Sequence, residues 1–183
     1  MTRTVLIFGL ISGVIIAGMV WLQAWLCERD LMSLDYGEIT GYASMLIALS
    51  MVFFGIKSYR DNYSGGKITF WKGVQVGLLI TLIGSLMYYV GAVTYNLASP
   101  TFEAKFMQKY AERTVEKLQA QGAPQEKIDD ATTELALMGM LFKNPLFFFL
   151  IAMVEIMPIG ILVTLISAAL LRKKEMLPVE SPA

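Results

Sequence analysis

The chain has 183 residues, of which 56% are hydrophobic and only 16% are charged, and its formal net charge is zero. This balance gives no electrostatic reason to expect a nucleic-acid partner, and a single cysteine, Cys27, excludes a disulfide within the chain. Histidine is absent, so the commonest metal ligand and general base is missing, and the composition predicts no catalytic, metal or cofactor site.

The hydrophobic residues are concentrated in four blocks rather than spread along the chain. A helix needs about 20 apolar residues to cross the roughly 30 Å hydrocarbon core of a bilayer. The pattern therefore predicts an all-α, polytopic membrane protein that forms a single domain over residues 1–183. The four predicted transmembrane helices cover about residues 4–26, 39–56, 71–97 and 146–171.

The first two predicted spans each have an alternative interpretation. The first resembles a secretory signal peptide, but its apolar run is longer than a signal core and no small-residue cleavage site follows it. We therefore expect a retained span, with Trp21 and Trp25 as anchors at the membrane interface. The second is the shortest, and a buried soluble helix or a re-entrant hairpin would also fit its length.

Positively charged residues predict the orientation in the membrane. They cluster at the N-terminus, in the second loop and just after the last span, whereas the first loop is mostly acidic. Because Lys and Arg near span ends mark the cytoplasmic side, both termini, including the short tail 172–183, are predicted to be cytoplasmic. The change of charge across the second block favours its being a true span. The cations are Arg3, Lys57, Arg60, Lys67, Lys72, Arg172, Lys173 and Lys174.

The third loop is predicted to form an amphipathic helical hairpin over about residues 101–143, on the extracytoplasmic side. Apolar residues recur every three or four positions from Phe102 to Leu118 and again from Ile128 to Phe142. Gly122 and Pro124 lie between these segments, and glycine typically ends a helix while proline begins one. After the second segment, Asn144 is expected to cap the last span and Pro145 to occupy its first turn. The apolar stripes of the hairpin either pack on each other and on the span ends, or dock a periplasmic protein partner or the outer leaflet.

Small residues recur at four- and seven-residue intervals on three of the predicted spans. In membrane helices such stripes mark faces that approach each other closely. The spacing predicts packing among the spans of one chain or, alternatively, the seam of a homo-oligomer. The residues are Gly9, Gly13, Ala17 and approximately Gly18 on the first span, Gly73, Gly77, Gly84 and Gly91 on the third, and Gly160, Thr164 and Ala168 on the last.

Glu155 is the only acidic residue deep in any predicted span. It lies about ten residues into the last one, about 15 Å from its start. A charge at such a depth costs roughly 2.5–3.5 kcal/mol on insertion scales. Its carboxyl group is therefore expected to be protonated, paired or facing water, and to share hydrogen bonds with hydroxyl groups at similar depth. These belong to Ser12, Ser50, Ser85 and Tyr88.

Pro158 follows Glu155 by three residues and is expected to kink the helix, because proline lacks a backbone donor. Two interpretations of this polar, broken point are open. It is a proton or cation site, or a small-molecule contact, or else it is a protonated acid that locks helices together through hydroxyl hydrogen bonds.

Several short motifs carry a resemblance to a known family. They are Tyr59-Arg60-Asp61, Gly65-Gly66-Lys67-Ile68-Thr69-Phe70, Lys72-Gly73, Lys143-Asn144-Pro145-Leu146 and Glu155-Ile156-Met157-Pro158-Ile159-Gly160. With four spans and a helical third loop, the chain resembles the bacterial membrane proteins of domain-of-unknown-function family 4199 over nearly its whole length. The resemblance implies a location in the bacterial inner membrane and implies no particular activity.

Three functional hypotheses follow for a chain whose first partner is the lipid bilayer. The first is a non-enzymatic protein that binds partners or organises a membrane assembly. The second is a small transporter or channel, oligomeric because four spans leave little room for a pore, with Glu155 as its proton or cation site. The third, an intramembrane enzyme, is disfavoured because the spans contain no histidine and no paired acids.

Overall fold

In the computed structural model the described residues are 1–33 and 36–172, apart from the side chain of Glu38. They form six helices, which confirms the all-α prediction for this part of the chain. The helices are α1 Thr2–Glu28, α2 Gly37–Tyr63, α3 Phe70–Ala98, α4 Phe102–Ala120, α5 Gln125–Phe142 and α6 Pro145–Leu171. The loop residue Asp35 and all of the predicted tail beyond Arg172 lie outside the described residues.

Helices α1, α2, α3 and α6 are long and apolar enough to cross a membrane, so the chain is compatible with an integral membrane protein. Helix α2 continues to Tyr63, well past the predicted end of its span at Ile56. Hydropathy marks where the chain stops being apolar, at Lys57, and not where the helix stops. Lys and Arg are good helix formers, so the backbone continues as a helix into the polar region.

Side chains cap two of the long helices at their first turn. The hydroxyl of Thr69 accepts a hydrogen bond from the backbone N–H of Lys72 at 3.3 Å. The side chain of Asn144 accepts from the N–H of Leu146 at 3.0 Å, and Pro145 is the first helical residue of α6. The predicted cap and proline start of the last span are therefore confirmed.

Glycine ends α4, also as predicted. Gly122 has a φ of +67°, in the left-handed region that glycine adopts without steric cost. The N–H of Ala123 donates to the Leu118 carbonyl at 2.9 Å, and the N–H of Gly122 donates to that of Gln119 at 3.0 Å. This pair of bonds is a Schellman motif, which satisfies the last carbonyls of the helix.

Helix α3 packs against α1 on one side and α6 on the other, and α2 contacts all three. Helices α1 and α3 are parallel, and α2 and α6 run in the opposite direction. We call the half of the bundle that contains the start of α1 and the end of α6 the terminal half. It comprises residues 2–13, 48–63, 70–85 and 156–171. The other half, next to α4 and α5, is called the loop half and comprises residues 16–28, 37–45, 88–98 and 145–155.

Small residues bring α3 and α6 close together in the terminal half. A Cβ added to Gly77 would lie 2.6 Å from Cγ2 of Thr164, and one added to Gly73 would lie 3.0 Å from Cβ of Ala168. Both distances are too short for an ordinary contact, so these positions require glycine.

The stripe on α1 packs against α3 in the same way. Added Cβ atoms at Gly9 and Gly91 would lie 2.9 Å from Ile83 and Ala17 respectively. The glycine stripes therefore pack within one chain. The predicted continuation at Gly18 is wrong, because no neighbouring atom lies within 4 Å of a Cβ built there.

The core of the terminal half is closed. Ile56, Ile80 and Ile156 have no solvent exposure, and they come from α2, α3 and α6. Thr81 and Thr164 are equally buried between α3 and α6, with their hydroxyl oxygens 3.5 Å apart.

Helices α4 and α5 lie between α3 and α6 in the chain. They contact each other, and in addition α4 contacts α1 and α5 contacts α6. Ile128 and Leu135 of α5 are buried, whereas Leu137, Met138 and Met140 are exposed. The apolar stripes of residues 101–143 are thus used in part within the chain.

Candidate functional site

Glu155 meets α3 in the loop half of the bundle. The hydroxyl of Tyr88 donates a hydrogen bond of 2.9 Å to its Oε2 atom. Tyr88 is half-buried and packs on the apolar core, so its ring fixes the position of the hydroxyl. One of the four hydroxyls expected near Glu155 is therefore its partner.

The three serines at similar depth donate to backbone carbonyls instead. Ser12 bonds the carbonyl of Ala48 on α2 at 2.8 Å. Ser50 and Ser85 bond carbonyls three and four residues back in their own helices, at 2.6 and 2.9 Å. A helical serine satisfies itself in this way at little cost, so equal depth alone did not identify the partners of Glu155.

Pro158 lies inside α6 on an exposed face. The helix is continuous through it, from Pro145 to Leu171. The kink expected from the missing backbone donor stays a prediction.

Glu155 and Tyr88 border a cavity of about 420 Å³ in the loop half. All four long helices line it, α4 contributes one face, and Phe142 of α5 reaches it. Glu155 is an exposed residue and contributes to the lining of this space. The volume falls in the range that is typical of small-molecule sites.

The cavity exists because small residues stand where the four helices face one another. No atom lies within 4 Å of a Cβ built at Gly37 or Gly41, and both glycines line the cavity. Ala24, Ala92 and Ala152 contribute short side chains from α1, α3 and α6. The same residue types that close the terminal half leave open space in the loop half.

Aromatic rings of α3 and α4 line the side of the cavity nearest the loops. The ring of Tyr95 meets that of Phe102 with centroids 4.9 Å apart, and Phe106 follows on α4 with Tyr110 stacked beyond it. Trp21 packs edge-on against Tyr95 at 5.2 Å. The apolar stripe predicted on the first helix of the third loop therefore faces the bundle.

Sequence reasoning missed a second carboxylate that joins helices at this end. Glu28, the last residue of α1, accepts hydrogen bonds from the hydroxyls of Tyr95 at 2.8 Å and of Ser99 at 2.6 Å. From the sequence alone, Glu28 is one of the acidic residues of the first loop. No spacing in the sequence shows this pairing, because it depends on the register between α1 and α3.

Asp30 fastens α4 to the end of α1. Its backbone has a φ of +56°, which non-glycine residues seldom adopt and which Asp tolerates better than most. Its carboxylate accepts a hydrogen bond from the ammonium group of Lys109 and forms an ion pair with it. This bond raises the pKa of Lys109 above its usual value.

The comparison with known families gives a match over most of the chain. The family model described as "Protein of unknown function (DUF4199)" matches residues 6–173. The chain belongs to this family. The matched residues of the DUF4199 protein include most of α1, all of the other three long helices, and both Glu155 and Tyr88. The chain has no match among the curated proteins and none among the solved structures.

The lining of the cavity is mostly apolar, with a few polar groups. Within the described part of the chain, no three His, Cys, Asp or Glu side chains come together as a metal site. The cavity offers apolar and aromatic walls, two carboxyl groups, three phenols and two amides. Such a set can hold a lipophilic molecule and orient its polar end.

Proposed function

We propose that this protein is a non-enzymatic membrane protein that binds a lipophilic ligand in the cavity of its loop half. The observation that carries the proposal is the cavity itself, about 420 Å³ lined by all four long helices, with Glu155 and Tyr88 on its wall. Mostly apolar walls with a few convergent polar groups are the usual form of a ligand site.

A transport function is less well supported. A path across the membrane would have to continue from Glu155 through the terminal half, where Ile56, Ile80 and Ile156 are fully buried. Transport through one chain would therefore need this packing to open, and an oligomeric pore would need a different face. Binding requires neither change.

We further propose that the protein lies in a bacterial inner membrane with both termini in the cytoplasm and the α4–α5 hairpin outside. Lys57, Arg60 and Lys72 lie near the terminal end of the bundle, whereas Glu28 and Asp30 lie at the loop end. This asymmetry follows the rule that cations mark the cytoplasmic side. A periplasm-active reporter fused after Gly37 should be active and one fused after Gly65 inactive, and the reverse pattern would overturn this topology.

The binding proposal is tested by filling the cavity. Gly37→Leu and Gly41→Leu, combined in one variant, place two leucine side chains in space where a built Cβ meets nothing within 4 Å. Gly18→Leu is the matched control, because Gly18 is equally free of neighbours but does not border the cavity. Organic extracts of the purified proteins are compared by mass spectrometry.

Wild type and the Gly18→Leu control should yield the same small lipophilic molecule in a fixed ratio to protein. The filled variant should remain folded and lose that molecule. A filled variant that retains the molecule, or a wild type with no such molecule, would contradict the proposal.

A further inference from the structure

The charged side chains that line the cavity are all acidic in the described part of the chain. Its lining includes the carboxyl groups of Glu155 and Glu103, and no Lys or Arg is among the described lining residues. Lys109 of α4 is paired with Asp30, and neither residue lines the cavity. The described lining therefore presents acidic groups without a balancing cation.

Among the described residues, Glu155 has one hydrogen-bond partner, and that partner is neutral. Tyr88 donates to one carboxylate oxygen, Oε2, and Glu155 also lines the cavity. In a membrane, a carboxylate with a phenol as its only partner is poorly compensated, because a neutral donor does not replace a counter-charge. A ligand that carries a positive charge would provide the missing counter-charge.

The walls of the cavity also suit a cation. Tyr95, Phe102, Phe106 and Tyr110 form a row of aromatic rings along the α3 and α4 side. Aromatic faces attract organic cations, and the attraction grows when water is excluded. A lipophilic body is accommodated by the apolar residues between the helices.

We propose that the ligand of this cavity is an organic cation, a quaternary or protonated amine carried on an apolar body, with its charge directed to Glu155. This inference rests on the proposed binding function and names its ligand class. The same ammonium chemistry is offered by the headgroup of an aminophospholipid and by a free lipophilic amine, and the test below separates these sources.

The first arm of the test uses two probes of matched shape and opposite charge, tetraphenylphosphonium and tetraphenylborate. Binding to the full-length protein is measured by calorimetry in a neutral maltoside detergent. Tetraphenylphosphonium should bind at least about tenfold more tightly than tetraphenylborate. Equal affinities would overturn the assignment of a cation while leaving lipophilic binding in place, and binding of neither probe would count against both proposals.

The second arm removes the charge. Glu155→Gln should weaken tetraphenylphosphonium binding by at least about tenfold, whereas Glu134→Gln, which removes an exposed carboxylate of α5 outside the cavity, should leave it unchanged. Unchanged binding in a folded Glu155→Gln variant would overturn the proposal. The wild-type comparison of the two probes needs no variant, so the proposal stays testable if Glu155→Gln fails to fold.

The third arm identifies the source of the cation by competition. Displacement of tetraphenylphosphonium by short-chain phosphatidylethanolamine, but not by short-chain phosphatidylglycerol, would support the proposal and assign the site to a lipid headgroup. Displacement by dodecylamine alone would support it and assign the site to a free amine. If neither phosphatidylethanolamine nor dodecylamine displaces tetraphenylphosphonium, the proposal is contradicted.

Discussion

The two halves of the bundle are built from the same four helices, yet only the loop half, where Gly91 also packs closely on Ala17, has glycines that border open space. In the terminal half, Gly77 and Gly160 lie so close to Thr164 and Thr81 that no Cβ would fit. In the loop half, Gly41 faces open space and borders a cavity. A small residue in a membrane helix therefore marks either a close helix contact or a binding site. Which of the two it marks depends on how closely the adjacent helices approach it.

The largest expected effect comes from adding bulk to the closed half. A Cβ at Gly160 would meet Oγ1 and Cβ of Thr81 at 3.1 and 3.2 Å, in a core with no space for displacement. Gly160→Leu should therefore cost about 3 kcal/mol, at the upper end for overpacking, and should clearly lower the temperature of thermal aggregation.

The matched change in the open half is Gly41→Leu, which should leave stability unchanged or raised. The two variants are compared by thermal aggregation in detergent, which requires no assay of function. If both lose stability to the same extent, the contrast between the halves is wrong.

A smaller effect is expected where polar groups join the helices of the loop half. Tyr95→Phe removes the hydroxyl that donates to Glu28 but keeps the ring that packs against Trp21. Hydrogen bonds between membrane helices contribute about 0.6–1.7 kcal/mol, so a loss of about 1 kcal/mol is expected. The measurement is thermal unfolding of Tyr95→Phe, of Glu28→Gln and of the double variant, and strictly additive losses would show that the two side chains are not coupled.

The smallest effect concerns the exposed ion pair that fastens α4. Because the pair raises the pKa of Lys109, its contribution is fully present below the usual lysine value near 10.5 and is lost as the pH rises through the raised value. Asp30→Asn keeps a residue that tolerates the positive φ and removes the charge. Wild type and variant should differ slightly in thermal stability at pH 8, and that difference should vanish at strongly alkaline pH. A difference that persists there would exclude the ion pair as its cause.

The sequence predicted the features that depend on one helix at a time. Hydropathy located the four long helices, Asn144 and Gly122 marked helix ends, and the spacing of Gly73 and Gly77 identified a face of α3 that meets another helix. Each of these follows from local backbone preferences or from the period of a single helix.

What the sequence did not predict depends on how helices are rotated and aligned against one another. Ser12, Ser85 and Tyr88 all lie at depths close to that of Glu155, but only Tyr88 reaches it. The pairing of Glu28 with Tyr95 likewise requires the register of α1 on α3. The cavity is a property of all four helices together, so no single segment of the sequence indicates it.

Cysteine labelling tests the contrast between the two halves most directly. Cys27 borders the cavity but is itself buried, so it is replaced by serine in both test variants. Gly41 faces open space at the cavity, whereas Ser12 is buried toward the closed half and bonded to Ala48. N-ethylmaleimide, a small uncharged reagent, should modify the cysteine of folded Gly41→Cys/Cys27→Ser far faster than the cysteine of folded Ser12→Cys/Cys27→Ser. Equal labelling at positions 41 and 12 would contradict an open loop half and a closed terminal half.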